Sequence, residues 1–553
     1  MDIKLDVAVR PDIAERIPSL IGKLRIVDTQ QILVVIDDGI GLVPSPGAFG
    51  IGRVLEIIDS LDFVFAKTRI IIASRQGEVA KLSLAGPDRL QNPTYTGFRF
   101  DQAEPGGGRT LDLFDQVWCF GLNPVIHDPV AANDASIVPI DASEADTLRA
   151  WMDDGGGVLA MGDHGLLGAD MCSAIPRVRL MRRWTDANGV PDREGTNRLD
   201  THRPATAAQT YHPVTNPAPS EIPASAQTDT VPQEIEWVPD RSIGHGLFVR
   251  QRPHPILCHS TLGPIDVFPD HAHEGRCFDS QAETLVDPDG DFSSPGSPAP
   301  VTIAYGHTLP DPPWDHAKNA QPARRFPLIT VYDGQRVGDG RIVVDSTWHH
   351  WMDLNIWELE SEGGDEWAKI RRYFENVAIW LARPSWRSKM LWIHLSTLKW
   401  SYLAVQEVDL TMSTRTLGRA LLDHLRPRLG PCWVTHWLYD IIPDFEWREV
   451  ILADLPDPCL SCPPLWLIEE YLYGAIARTS LEHAAKLKVG LRAEKLTAAD
   501  LRVQDLTNAL PAALRSGLAE LVQVYRDDLR HATESLGHMA RVAGGDESPE
   551  QLH

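Results

Sequence analysis

Gly155-Gly156-Gly157-Val158-Leu159-Ala160-Met161-Gly162-Asp163-His164-Gly165 is the stretch on which the fold of this chain turns. Three glycines stop whatever helix precedes them, four apolar residues follow without interruption, and a Gly-Asp-His-Gly turn comes next. A short, wholly apolar run bounded by turn residues is the pattern of a strand buried on both faces, as parallel sheets require. Upstream, Ser143, Glu144 and Asp146 supply a helix cap and an acidic first turn, and Leu148, Trp151 and Met152 supply the inward face. Such a turn presents Asp163 and His164 at the top of the sheet, as nucleophile elbows do. The plainer role for Asp163 is to cap the following helix, which would carry Val178, Leu180 and Met181.

The same rhythm extends on both sides. Residues 32–36 read as a buried strand closed by Asp37-Asp38-Gly39, and residues 50–61 as a crossover helix with Ile51, Val54, Leu55 and Ile58 at helical spacing. Residues 69–73 and 116–121 are further strands, the latter ending at Asn123-Pro124. From 185 to about 300 the pattern gives way to Pro, Thr, Ala, Asp and Ser, a long insertion of the kind that often carries function. Strands resume at 301–305, 327–332 and 340–345, and a helix over 366–381 closes the domain. After Arg383-Pro384 strand signals all but vanish and long helices appear, clearest at 465–485 and 510–539, before a polar tail over 544–553. The expected architecture is α/β, a flavodoxin-like doubly wound parallel sheet over residues 1–384 with the insertion at 185–300, followed by an all-α domain over 385–553.

At 553 residues with 43% apolar content, the chain is long enough for two or three ordinary soluble domains. Its net charge of -24 argues against a nucleic-acid phosphate surface or an anionic membrane as main partner, though it leaves room for a local basic patch such as Arg177 to Arg183. The first residues lack a secretory pattern and no apolar run approaches membrane-spanning length, so a cytoplasmic protein is expected. Seven scattered cysteines fit reduced thiols, and Cys459 and Cys462, with no second such pair, read as structural.

Chemistry concentrates in Pro269-Asp270-His271-Ala272-His273-Glu274-Gly275, inside the insertion. In an extended segment His271 and His273 share one side, Asp270 and Glu274 the other. Two imidazoles so placed can hold a divalent ion. Because ligands of an open parallel sheet bind outside the carboxyl ends of its strands, Asp37, Asp38, Asn123, Asp163, His164, Asp345 and the His349-His350 pair define one rim. Of these, Asp37-Asp38-Gly39 and Asn123-Pro124 fit simple turn chemistry.

The elbow, the order of strands and the late run Gly338-Asp339-Gly340-Arg341-Ile342-Val343-Val344-Asp345-Ser346-Thr347-Trp348-His349-His350 resemble the class I glutamine amidotransferase-like superfamily, including its ThuA-like branch, over about residues 30–382. Family members with glutaminase activity carry cysteine in a Gly-x-Cys-x-Gly elbow; here Asp163 occupies that position. The family's His-Pro-Glu motif is likewise replaced, around His349-His350-Trp351, and Cys172 lies nine residues past the elbow position. Glutamine hydrolysis through a thioester is therefore not expected.

Two functions are expected. In the first, a hydrolase-like enzyme acts on a small polar substrate. His271, His273, His349, His350 and Asp270 are its candidate metal ligands, for Zn, Mn or Fe, with Asp163 as ligand or orienter. Glu274 is the general base and His164 a proton carrier; the same groups can do acid–base work without a metal. In the second, a non-catalytic module binds a ligand, a protein partner or a second copy of itself through the helical domain, where Trp392, Trp400, Trp433, Trp437 and Trp466 lie.

Overall fold

A computed structural model describes residues 28–37, 39–46, 49–63, 66–123, 139–163, 166–184, 232–240, 252–269, 275–308, 324–383, 386, 412–441, 465–490 and 503–544. These fall into two compact units, one ending at residue 386 and one beginning at 412.

The first unit is built on an eleven-stranded sheet: β1 (Asp28–Ile36), β2 (Asp62–Phe63), β3 (Ala66–Ser74), β4 (Ala80–Lys81), β5 (Tyr95–Thr96), β6 (Gln116–Phe120), β7 (Gly157–Met161), β8 (Glu236–Trp237), β9 (Val301–Thr308), β10 (Arg324–Asp333) and β11 (Arg341–Asp345). Its spatial order is β8-β9-β10-β11-β7-β6-β1-β3-β5-β4, with β2 beside β3. The centre, β11-β7-β6-β1-β3, is parallel throughout, in a register that sets Ile32 against Ile70 and Gln116, Trp118 against Leu159, and Leu159 against Val343. Every residue of β6, β7 and β11 is buried, which is why residues 117–120, 158–161 and 342–344 read as apolar runs, while the buried polar ends Gln116, Arg341 and Asp345 are hydrogen-bonded. Counted along the chain, the long parallel strands stand in the order second, first, third, fourth, fifth. The order reverses between β1 and β6. Antiparallel β10, β9 and β8 extend the far side beyond β11.

Helix α1 (Gly52–Asp59) follows β1 and buries Val54, Leu55, Ile57 and Ile58. Helix α2 (Ala142–Asp153) starts one residue before the expected serine, because Asp141 is the cap: its side chain accepts from Glu144 N and the Glu144 side chain accepts from Asp141 N, a reciprocal capping box. The glycines after it are a steric requirement, since a Cβ at Gly157 would lie 2.2 Å from the Leu381 carbonyl oxygen. Short α3 (Ala169–Cys172) and α4 (Val178–Met181) follow β7, then α5 (Asp353–Glu362) and α6 (Gly364–Trp380) close the unit after β11. The described parts of the insertion are tied down in two-residue ribbons, Arg182–Arg183 with Arg276–Cys277 and Gln233–Glu234 with Val267–Phe268, and contribute β8 to the sheet.

The basic run is spent internally. Arg177 pairs with Asp153 and Asp339, Arg179 with Asp289 and Asp291, and Arg183 with Glu283.

The second unit contains α7 (Thr414–Leu429), α8 (Pro431–Ile441), α9 (Leu465–Gly490) and α10 (Val503–Gly544). Glycines let these helices touch: a Cβ at Gly418 would lie 1.7 Å from the Glu470 carbonyl oxygen, and one at Gly474 1.8 Å from that of Thr414. Trp433 and Trp437 are buried here and Trp466 is 40% exposed, whereas Trp392 and Trp400 lie outside the described residues, as do Cys459 and Cys462. Among the described residues no helix is long and apolar enough to cross a membrane.

Candidate functional site

The tips of β7 and β11 lie side by side, and the segments leaving them are fastened to each other. Trp348 N donates to the Gly162 carbonyl (2.9 Å), so the residues after Met161 and after Asp345 run together. Thr347 is extended and turns its hydroxyl toward the elbow, donating to Asp163 Oδ1 at 3.0 Å while accepting from His349 N at 3.0 Å. His349 then stands with Nε2 3.8 Å from Asp163 Oδ2 and Nδ1 3.0 Å from Asn355 Oδ1, at the start of α5. An amide oxygen only accepts, so Nδ1 carries the proton and Nε2 turns its lone pair toward the carboxylate side. Phe49 and Trp348 pack edge-on and tilted against the ring. Asp163 and His349 are 0% and 1% exposed.

His350 belongs to a different network. Its Nδ1 lies 2.7 Å from Asp345 Oδ1 and its Nε2 3.2 Å from Gln233 Nε2, while Asp345 Oδ2 also accepts from Trp351 Nε1 and Tyr373 OH, both at 2.9 Å. Buried carboxylates persist when donors converge on them in this way. Burial and the neighbouring Asp345 push the Tyr373 hydroxyl well up from its usual range, so it stays a donor.

Arg182 joins the strand tips to the insertion. Its buried guanidinium donates to the Asp163 and Ser346 carbonyls at 2.6 and 2.9 Å, and to those of Arg276 and Arg183 at 2.7 and 2.8 Å. Only glycine fits at 275, where a Cβ would lie 1.7 Å from Arg182 Nη2. On the other flank, the Pro269 carbonyl accepts from Gln233 Nε2 at 3.1 Å, the same amide that meets His350. The residues on both sides of 270–274 are thus anchored at the tips of β7 and β11.

Asp270, His271, His273, Glu274 and His164 themselves lie outside the described residues. Among the described residues no three His, Cys, Asp or Glu side chains are grouped to hold a metal ion, and His349 and His350 face separate partners. Thr347, Asn355, Gln233 and Arg182 carry no role in the sequence reading. Thr347 had a legible signal: it sits two residues before His349 on an extended strand end, on the side that faces β7.

A second group of polar residues occupies the point where the strand order reverses. Asp37, after β1, accepts through Oδ2 from Leu122 N (2.9 Å) and Asn123 N (3.3 Å), after β6. Asp170 Oδ1 accepts from Met171 N at 2.7 Å. Burial, then the charge of Asp37, pushes Asp170 up to about 8; burial raises Asp37 too. Arg75 approaches from β3 but is bound at 2.8 and 3.1 Å by Glu144. Asp37 is therefore more than the turn former its Asp-Asp-Gly setting suggests.

No family model matches this chain, and no curated protein or solved structure does.

Proposed function

We propose that the α/β unit is a hydrolase-like enzyme of flavodoxin-like, amidotransferase-like architecture in which Asp163 and His349 form the working pair. The observation that carries this reading is the pairing itself: an elbow carboxylate 3.8 Å from an imidazole nitrogen whose other nitrogen is fixed by Asn355. The second-first-third-fourth-fifth strand order agrees with the flavodoxin-like class, and the elbow position supports the amidotransferase-like resemblance. In that reading Asp163 replaces the thiol, so the chemistry changes with it.

His349 Nε2 takes a proton from a water molecule held between it and Asp163 Oδ2. The hydroxide formed attacks a carbonyl or related electrophilic carbon, and the imidazolium returns the proton to the leaving group. Asn355 keeps the tautomer that makes Nε2 the base, and Thr347 orients the carboxylate; both are positioning residues. A divalent ion is a variant of the same proposal. Its ligand set rests on His271 and His273 with His349 Nε2, because His350 already has a partner at each ring nitrogen, and no step of the hydrolysis runs through a metal.

The test uses the full-length untagged protein and a panel of para-nitrophenyl acetate, butyrate and phosphate, an acyl anilide and a lactone, with bound metal measured by mass spectrometry. Turnover of at least one carbon ester, amide or lactone, cut about 100-fold or more by His349→Gln and by Asp163→Asn with the thermal transition retained, is expected. Wild-type rates in His349→Gln would overturn the reading. So would a wild-type protein inert towards the whole panel, which would favour a non-catalytic module. Loss of stoichiometric metal in His271→Ala would select the metal-bound form.

A further inference from the structure

Helix α10 is the longest described helix of the second unit, and only part of it is spent on packing. Ala513, Leu514, Leu518, Leu521 and Val522 are buried. They lie where α10 meets its neighbours: a Cβ at Gly517 would stand 2.7 Å from Ala475 Cβ and 3.0 Å from the Tyr471 carbonyl oxygen of α9, and Glu520 accepts from Thr414 Oγ1 of α7 at 2.6 Å. From Gln523 to Ala543 no residue is buried. At 1.5 Å per residue that is about 30 Å of helix.

The apolar seam nevertheless continues along it. Val522, Tyr525, Leu529, Ala532, Leu536, Met539 and Ala543 follow one another at alternating steps of three and four, the heptad spacing of helices that wind round a partner. Leu529, Leu536 and Met539 are 37, 63 and 57% exposed, and Val542 beside them 46%. Past Arg526 and Asp528 the positions flanking the seam are Thr533, Ser535, Ala540 and Val542, uncharged where a solvated helix carries charge. Charged residues on the outer face bond along the helix itself, Arg530 with Asp527 at 2.9 Å and Glu534 3.7 Å from His531. A regular seam that is buried at one end and exposed along the rest marks an interaction surface.

We infer that the exposed half of α10 is covered by the same segment of a second copy of this chain, running antiparallel. Charge selects that occupant. The chain carries a net charge of -24, which opposes self-association over most of its surface, yet residues 523–543 hold three arginines against three acids and are neutral. Packing sets the direction. About a two-fold axis at the level of Glu534, Ala532 faces Leu536, Leu529 faces Met539 and Tyr525 faces Ala543 of the other copy, so the two alanines of the seam each meet a larger side chain. Running parallel, each residue would face itself, leaving gaps at Ala532 and Ala543 and crowding Tyr525 against Tyr525. Because α7 and α9 already hold the first part of α10, little ordering entropy opposes the pairing. Nothing in this association depends on the chemistry proposed at Asp163 and His349.

Sedimentation velocity of the full-length untagged protein across about 1–100 μM, the span expected for a small interface, reads the association. The weight-average mass is expected to rise from one chain towards two. Leu536→Glu, at a position exposed in the single chain, is expected to weaken the association about 100-fold or more with the thermal transition of the dilute protein unchanged. Should that variant fail to fold, Met539→Lys carries the same test. Direction is read by mixing: Leu529→Glu and Met539→Lys are each expected to be monomeric alone and to associate when combined, because the antiparallel layer sets carboxylate against ammonium. A wild type that stays monomeric throughout would leave the seam to an unlike partner and overturn the inference, as would a dimer untouched by Leu536→Glu. Mixed variants that stay apart would overturn the antiparallel arrangement.

Discussion

Two ends of one sheet solve the same problem in different ways. At the tips of β7 and β11, the buried acids and histidines meet partners of fixed character: Thr347 on Asp163, Asn355 on His349, and Trp351, Tyr373 and His350 on Asp345. At the tips of β1 and β6, Asp37 and Asp170 are buried acids that take backbone N–H donors, from Leu122, Asn123 and Met171, and burial raises both. A network of fixed donors holds its geometry, whereas carboxyl groups raised by burial make local stability a function of pH. The first arrangement suits a preorganised site and the second makes the reversal point sensitive to pH.

The comparison breaks first if the β7–β11 end is not held by its network. Arg182→Met leaves four carbonyl groups short of a donor, two of them carrying the strand tips, and should cost about 3–5 kcal/mol in urea unfolding. A cost under about 1 kcal/mol would mean that the hub is incidental. Next, Asn355→Ala should lower turnover of any substrate found by about 10- to 100-fold while moving stability by no more than about 1–2 kcal/mol. Its pH–rate profile should also shift, because the base loses the partner that fixes its tautomer; equal losses of rate and stability, with no shift, would make Asn355 merely structural.

A third test asks whether proton dependence is confined to the β1–β6 end. Asp353 accepts from Ser45 N and Arg53 N at 3.1 and 2.9 Å, yet burial lifts it to about 6. A carboxyl raised above its unfolded value costs progressively more stability as pH rises through that interval, so stability should fall between about pH 4 and 6 and Asp353→Asn should flatten that part of the curve. An unchanged slope would remove Asp353 from the account and leave Asp37 and Asp170 as the titrating groups. The smallest effect concerns the buttress behind Arg75. Asp141→Ala should cost about 1 kcal/mol as the true cap of α2, and Ser143→Ala less than about 0.5 kcal/mol, by thermal unfolding.

Much of the sheet was legible because buried parallel strands must be apolar: β1, β6, β7 and β11 arise from runs that no surface segment would carry. Helix α5 was not, because Asp353 and Asn355 are buried polar residues and its apolar pattern is weak. The sequence cannot show that these side chains serve other elements. Asp163 and His349 could be placed on one rim by the rule for strand ends, and they lie together. Arg182 could not be singled out, since nothing in Arg177-Val178-Arg179-Leu180-Met181-Arg182-Arg183 says which guanidinium turns inward. Asp170 was hidden for the opposite reason: one acid in a short helix has no periodic signature, and its burial is set by distant parts of the chain.

The sheet order also sets a timetable for biosynthesis. β7 has its parallel neighbour β6 ready when it leaves the ribosome, but its other edge pairs with β11, about 180 residues later. At roughly 5–20 residues per second that edge stays open for roughly 10–35 s. A flat apolar strand left unpaired for so long is a template for misassociation. The α/β unit should accordingly be aggregation-prone when truncated before residue 345 and should depend on holdase chaperones during translation.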